Sequence, residues 1–306
     1  MRFERSLVVL KNYIGDSVMA SPLVRSVAAI SGATDILGAP LVEQIFRFPG
    51  FRARFYDPGN LSNIGQLMRM AKQVREGQYD AAFIVNRSFR SALLTKLARI
   101  PRRIGHATEC RSWLLTDKVP YHPTKNEALC YLDLLGSETP AFTKPELFAS
   151  EEELSRGSEL LDGATVGIQA GARHDYKQIP VEVWRSLGKK LVDEGAKLAF
   201  FGGAEERTLL GELQLPGTDL VGKTNLRESI GALANLRLMI GGDTGVMHLA
   251  AAVGTPTITA FGPTPNEKWG WFNEPHQVII APDKDIHKLE ASTMIEAAER
   301  AMCTVR

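Results

Sequence analysis

Short runs of β-branched and aliphatic residues alternate with longer segments of helical period along the whole chain, and the alternation runs twice. In the first half the extended runs are residues 6–10, 34–39, 79–85 and 103–107. The helical segments are 17–30, 63–77, 91–100 and 124–136, the last closing on Gly136 as a natural cap. A Pro- and Glu-rich passage from Ser137 to Asp162 interrupts the pattern, which then restarts. Strand readings over 164–170, 196–203, 219–223, 237–243 and 256–262 alternate with helix readings over 180–195, 204–213, 225–236, 245–254 and 292–305. Such a chain folds as two open parallel sheets, each covered by helices on both faces. The expectation is two Rossmann-like α/β domains, 1–150 and 151–306, joined through 137–162 and holding a ligand in a cleft between them.

A length of 306 residues suits two domains, and 44% apolar with 23% charged residues suits a soluble globular protein. No apolar run reaches the roughly 20 residues that span a bilayer. The start, MRFERSLVVL, reads as a buried strand and not as a signal peptide. Cys110, Cys130 and Cys303 are scattered, which argues against disulfides or a zinc cluster and points to a reducing, cytoplasmic setting. The net charge of +1 hides an asymmetry. Residues 1–136 hold 19 Lys and Arg against 11 Asp and Glu, whereas the remainder holds 17 against 24. Either the charges merely solvate surfaces, or the first half meets an anionic partner.

Three strand-to-helix corners carry chemistry. In IGGDTGVMHLAAAVGTP, Asp243, Thr244 and Gly245 fall beyond the carboxyl end of a strand, where open parallel sheets bind ligands. Thr244 and Gly245 start a helix whose free N–H groups and dipole suit a phosphate, and His248 lies about one turn further on. Simple helix capping would account for one of these residues. In IQAGARHDYKQIP a strand ends at Gly171, and Lys177 stands in the polar loop as a phosphate partner or an ordinary surface lysine. In VVLKNYIGDSVMASP, Asp16 stands at a helix start, either as a cap or as a general base.

No Walker A loop, dinucleotide fingerprint, nucleophile elbow or metal-ligand spacing occurs, and nothing points to nucleic acid. Trp269 and Trp271 read as core residues.

Together these corners resemble glycosyltransferase family 9, the ADP-heptose:lipopolysaccharide heptosyltransferases. VVLKNYIGDSVMASPLVRS, FFGGAEER, VGKTNLRES, GGDTGVMHLAAAVGTPTITAFGPTPNEKWG and RRIGHATECRSWLLTDKVPY look like the family's successive blocks. Gln178-Ile179-Pro180 and the Gln-Ala-Gly-Ala turn depart from its usual pattern. The resemblance implies a glycosyltransferase-B fold, with the acceptor on the N-terminal domain and the nucleotide-sugar, ADP-heptose, on the C-terminal one. It implies Asp16 as the base of an inverting transfer without cofactor or tightly held metal. Asp243, Thr244, Gly245 and His248 would grip the donor, with Gly171 beside them, Lys177 across the cleft, and Glu205, Lys223 and Thr224 around ribose and base. Arg103 and Arg111 would meet an anionic glycolipid acceptor, with peripheral membrane contact. A nucleotide-sugar epimerase and a non-catalytic nucleotide- or carbohydrate-binding module remain as alternatives. An NAD-dependent oxidoreductase is disfavoured by the missing glycine fingerprint.

Overall fold

The computed structural model describes residues 2–271 and 275–304. The chain divides into two compact units, Met1–Leu147 and Phe148–Arg306. Val305, read as the end of the closing helix, and Phe272 of the EKWGWF stretch lie outside the described residues.

The first unit runs β1 (Phe3–Val9), α1 (Ile14–Met19), α2 (Ser21–Ile30), β2 (Ser31–Leu37), α3 (Pro40–Ile45), β3 (Phe55–Tyr56), α4 (Ile64–Glu76), β4 (Ala81–Ile84), α5 (Phe89–Leu97), β5 (Arg102–His106), β6 (Asp117–Val119) and α6 (Glu127–Leu132). Its six strands are ordered β3-β2-β1-β4-β5-β6. The pairings are parallel throughout. The inner strands are apolar on both faces because helices cover both, as at Leu7, Val8, Val9 and Ala81–Ile84. The segment expected as one helix over 17–30 is two. Pro22 has no N–H to continue the ladder, so α2 restarts around Ala20, whose own N–H closes α1 on the Asp16 carbonyl.

The second unit runs α7 (Glu151–Leu161), β7 (Val166–Gln169), α8 (Val181–Asp193), β8 (Leu198–Phe200), α9 (Arg207–Leu213), β9 (Thr218–Asp219), α10 (Leu226–Ala234), β10 (Leu238–Gly242), α11 (Gly245–Ala252), β11 (Thr257–Phe261), α12 (Asn266–Trp269), β12 (Gln277–Ile280) and α13 (Ala291–Thr304). Its order is β12-β11-β10-β7-β8-β9. Counted from β7, that is the same winding as in the first unit. The core gathers Ile168, Trp184, Leu187, Ile240, Ile258 and Met294 under the sheet.

The passage read as a linker is not wholly one. Its second half is α7, started by a reciprocal Ser150–Glu153 capping box. Gly157 of α7 faces Gly231 of α10 so closely that a Cβ on either would strike the other helix's backbone. Arg227 grips Glu153 through two nitrogens and fixes that crossing.

Candidate functional site

In each sheet the strand order reverses at one place: between β1 and β4 in the first unit, between β7 and β10 in the second. The loops leaving the carboxyl ends of such a strand pair diverge and leave a crevice. The candidate residues concentrate at these two points.

In the second unit, β10 ends at Gly242 and α11 opens at Gly245. Asp243 is buried. Thr244 occupies the N-cap position, yet no side chain caps the helix. The Thr244 hydroxyl instead donates to Gln169 Oε1 at 2.7 Å. The capping alternative therefore does not account for this corner. Lys177, in the loop after β7, places Nζ 2.6 Å from Asp243 Oδ2 and 3.1 Å from the Asp243 carbonyl. It stands beside the Asp243 corner, within the same unit, and not across a cleft from it. His248 Nε2 lies 3.7 Å from Asp243 Oδ1. Its Nδ1 accepts from Trp271 Nε1 at 3.0 Å, which leaves Nε2 as the nitrogen turned towards Asp243. Burial alone would raise the Asp243 carboxyl; His248 and Lys177 outweigh it and hold the group below the usual carboxylate range.

Gln169 ties this corner to the next strand. Its Nε2 donates to the Gly171 carbonyl and, at 3.1 Å, to Glu206. Any Cβ at Gly171 would run into the Glu206 side chain. Burial pushes the Glu206 carboxyl up, partly offset by Gln169. Glu205, expected around the ribose and base, is exposed, and its neighbour Glu206 turns inward. Gly222 donates to the Gly202 carbonyl, which brings the 222–224 loop onto the turn that carries Glu205 and Glu206. In that loop Lys223 pairs with Asp219, and Thr224 shares a hydrogen bond with Ser229. Trp269 and Trp271, expected in the core, are half-buried and set their rings against His248.

In the first unit Asp16 lies in the first turn of α1 but caps nothing with its side chain. Its Oδ1 accepts from Lys11 Nζ at 2.6 Å and from the Tyr131 hydroxyl at 2.8 Å. Glu127, entirely buried, accepts from the same two groups at 2.9 Å each. Arg87 approaches Glu127 to 3.6 Å and stacks over Tyr121. Beside this cluster, Asn12, Asn60, Ser62, Asn86, Ser88 and Arg90 line a hollow of about 240 Å³.

Backbone carbonyls hold both arginines expected at the acceptor. Arg103 is the second residue of β5, so it sits at the edge where strands begin, away from the carboxyl ends. Its guanidinium donates to the Leu114 and Ile100 carbonyls. Arg111 is completely buried and donates to the carbonyls of His106, Asn86 and Ser88. It braces the loops after β4 and β5 from within. Burial lowers its pKa to about 10. No carboxylate spacing marks Lys11, Glu127, Tyr131 or Gln169 in the sequence, so pattern reading passed over them.

Two sheets of the same doubly wound order, with polar corners at both switch points, make up a glycosyltransferase-B fold. The fold matches the structure of Escherichia coli ADP-heptose lipopolysaccharide heptosyltransferase II, with a TM-score of 0.85 at 22% identity over 98% of this chain and 99% of that one. It also matches E. coli heptosyltransferase WaaC with ADP, with a TM-score of 0.74 at 20% identity over 97% and 99%. In sequence the chain is 28% identical to lipopolysaccharide heptosyltransferase 2 of E. coli K12 over 288 residues, 84% of this chain and 82% of the relative. Residues 67–298 match the model of glycosyltransferase family 9 (heptosyltransferase), and the chain belongs to that family.

Proposed function

We propose that the chain transfers a heptose from ADP-heptose to a lipopolysaccharide inner-core glycan, inverting the anomeric carbon and using no tightly held metal. The observation that carries this reading is the Lys177–Asp243–His248 cluster at the start of α11, at the switch point of the second sheet. The named relatives supply the sugar and the nucleotide. Lys177 and the free N–H groups at Gly245 and the residues after it stabilise the diphosphate as it gains charge. Asp243 aims Lys177, and Gln169 keeps the Thr244 hydroxyl in place. Glu206, rather than Glu205, is the better-placed carboxylate on the ribose side, with Lys223 and Thr224 next to it.

Asp16 takes the acceptor proton. The acceptor oxygen forms its bond to the anomeric carbon as the bond to the diphosphate breaks, and that electron pair leaves on ADP. The acceptor occupies the hollow between the loops after β3 and β4. Its amides and hydroxyls suit sugar hydroxyls, and Arg90 with the opening turns of α4 and α5 suits a negative group. No described helix is long and apolar enough to cross a membrane. Exposed Trp113, packed on Phe89 with Lys96 over its ring, suits peripheral contact with a lipid surface. The test is transfer from ADP-heptose to deacylated core fractions by the parent and Asp16→Asn. Absence of a heptosylated product with the parent refutes the reading.

A further inference from the structure

Glu127 is completely buried, and the reaction outlined above gives it no task. It nevertheless takes both hydrogen-bond donors that serve Asp16, namely Lys11 and Tyr131. The Tyr131 hydroxyl has one proton, so it donates to one carboxylate at a time. Lys11 is mostly buried and sits between the two acids. A lysine devoted to Asp16 alone would stabilise the carboxylate and make it a poor base. With Glu127 present the ammonium is shared. When Asp16 becomes protonated, Lys11 and Tyr131 still have an acceptor, and no buried cation is stranded.

We propose that Glu127 is a positioning residue that divides Lys11 and Tyr131 between two carboxylates and thereby keeps Asp16 basic enough to take the acceptor proton. This rests on the reading of Asp16 as the base. The other charged groups packed around the cluster leave the arrangement in place. Arg87 faces Glu127 and Tyr121, and burial keeps the nearby His106 below its usual pKa. Arg25 on α2 turns to Glu146, Asp133 to Lys125, and Glu43 on α3 is exposed.

The experiment is the pH dependence of kcat/KM for the parent, Glu127→Gln, Lys11→Met and the double variant, with Asp16→Asn alongside. Glu127→Gln should move the acid limb down by about one pH unit and lower the plateau about three- to tenfold, with the ADP-heptose KM unchanged. Lys11→Met should move the limb up, and the double variant should bring it back towards the parent. A Glu127→Gln limb at the parental pH, with only the plateau reduced, overturns the proposal. If Glu127→Gln does not fold, a Lys11→Met limb coincident with the parent overturns it instead. Asp16→Asn separates the two readings. A D16N enzyme active within a few-fold refutes the base itself, whereas an inactive D16N with an unmoved Glu127→Gln limb refutes only the role of Glu127.

Discussion

Replacing Lys177 with alanine should harm donor binding more than losing one hydrogen bond would. The ammonium lies 2.6 Å from Asp243 Oδ2, and the Asp243 side chain is only 7% exposed. Removing it takes away a charge-assisted contact to the diphosphate, worth about 1.5–3 kcal/mol. It also leaves a buried carboxylate without its ammonium next to the incoming phosphates. At an effective dielectric of about 20 and a separation of about 6 Å, that repulsion adds up to roughly 3 kcal/mol. The ADP Kd of Lys177→Ala should therefore rise by about 10- to 10⁴-fold, measured by calorimetry. Asp243→Asn keeps the ammonium and removes the repulsion, so its Kd should stay within about tenfold of the parent. Lys177→Ala/Asp243→Asn should then bind ADP more tightly than Lys177→Ala alone. Parental affinity for Lys177→Ala, or a double variant no better than the single, would refute the reasoning.

Asp16→Asn should retain ADP affinity while turnover falls by roughly 10²-fold or more; turnover close to the parent would make Asp16 merely structural. Arg111→Ala should cost about 3 kcal/mol in urea unfolding, because a buried side chain and the partners of three carbonyls are lost together, and not raise the acceptor KM in the folded fraction. Arg103→Ala should leave the acceptor KM and its salt dependence unchanged, and a raised KM would return it to the acceptor surface. His276, whose pKa burial lowers to about 4, binds its proton more readily in the unfolded chain. Stability from this group is complete above about pH 6.5 and falls as pH drops towards 4, by at most roughly 3 kcal/mol. Urea midpoints at pH 7 and 4.5 should therefore converge in His276→Gln relative to the parent.

The alternation of apolar runs was enough to read two parallel sheets, because a strand buried on both faces is written as an uninterrupted apolar stretch. The edge strand β9 was read at 219–223, past its actual Thr218–Asp219, and the short edge strands β3, β6 and β12 were not legible. Neither was the identical winding of the two units. Winding depends on where apolar runs fall and not on which residues fill them, so no sequence repeat accompanies it. Asp243, Thr244, Gly245, His248 and Lys177 were legible as corner residues because glycine and proline mark where strands end. Their distances were not: Lys177 and Asp243 are 66 positions apart, and only the adjacency of β7 and β10 brings them together. Arg103 and Arg111 misled for the same reason. Charge counted along the chain does not say at which edge of the sheet a side chain emerges, or whether carbonyls already hold it.

Each switch point carries a Lys–Asp pair at 2.6 Å, Lys11 with Asp16 and Lys177 with Asp243. The pairs are alike in separation and in their place beside a helix start, so the pair by itself cannot decide between a base and an anchor. The third group does. At Asp243 it is His248, whose contact adds to that of Lys177 and holds the carboxyl ionised. A carboxylate so held cannot accept a proton near neutral pH, but it can keep an ammonium aimed at a phosphate. At Asp16 the third group is Glu127, which accepts from the same Lys11 and Tyr131. One winding used twice thus yields opposite chemistry. On the proposed assignment, a donor corner needs fixed positive charge, an acceptor corner needs a carboxylate to take a proton, and one buried residue beside each pair sets the difference.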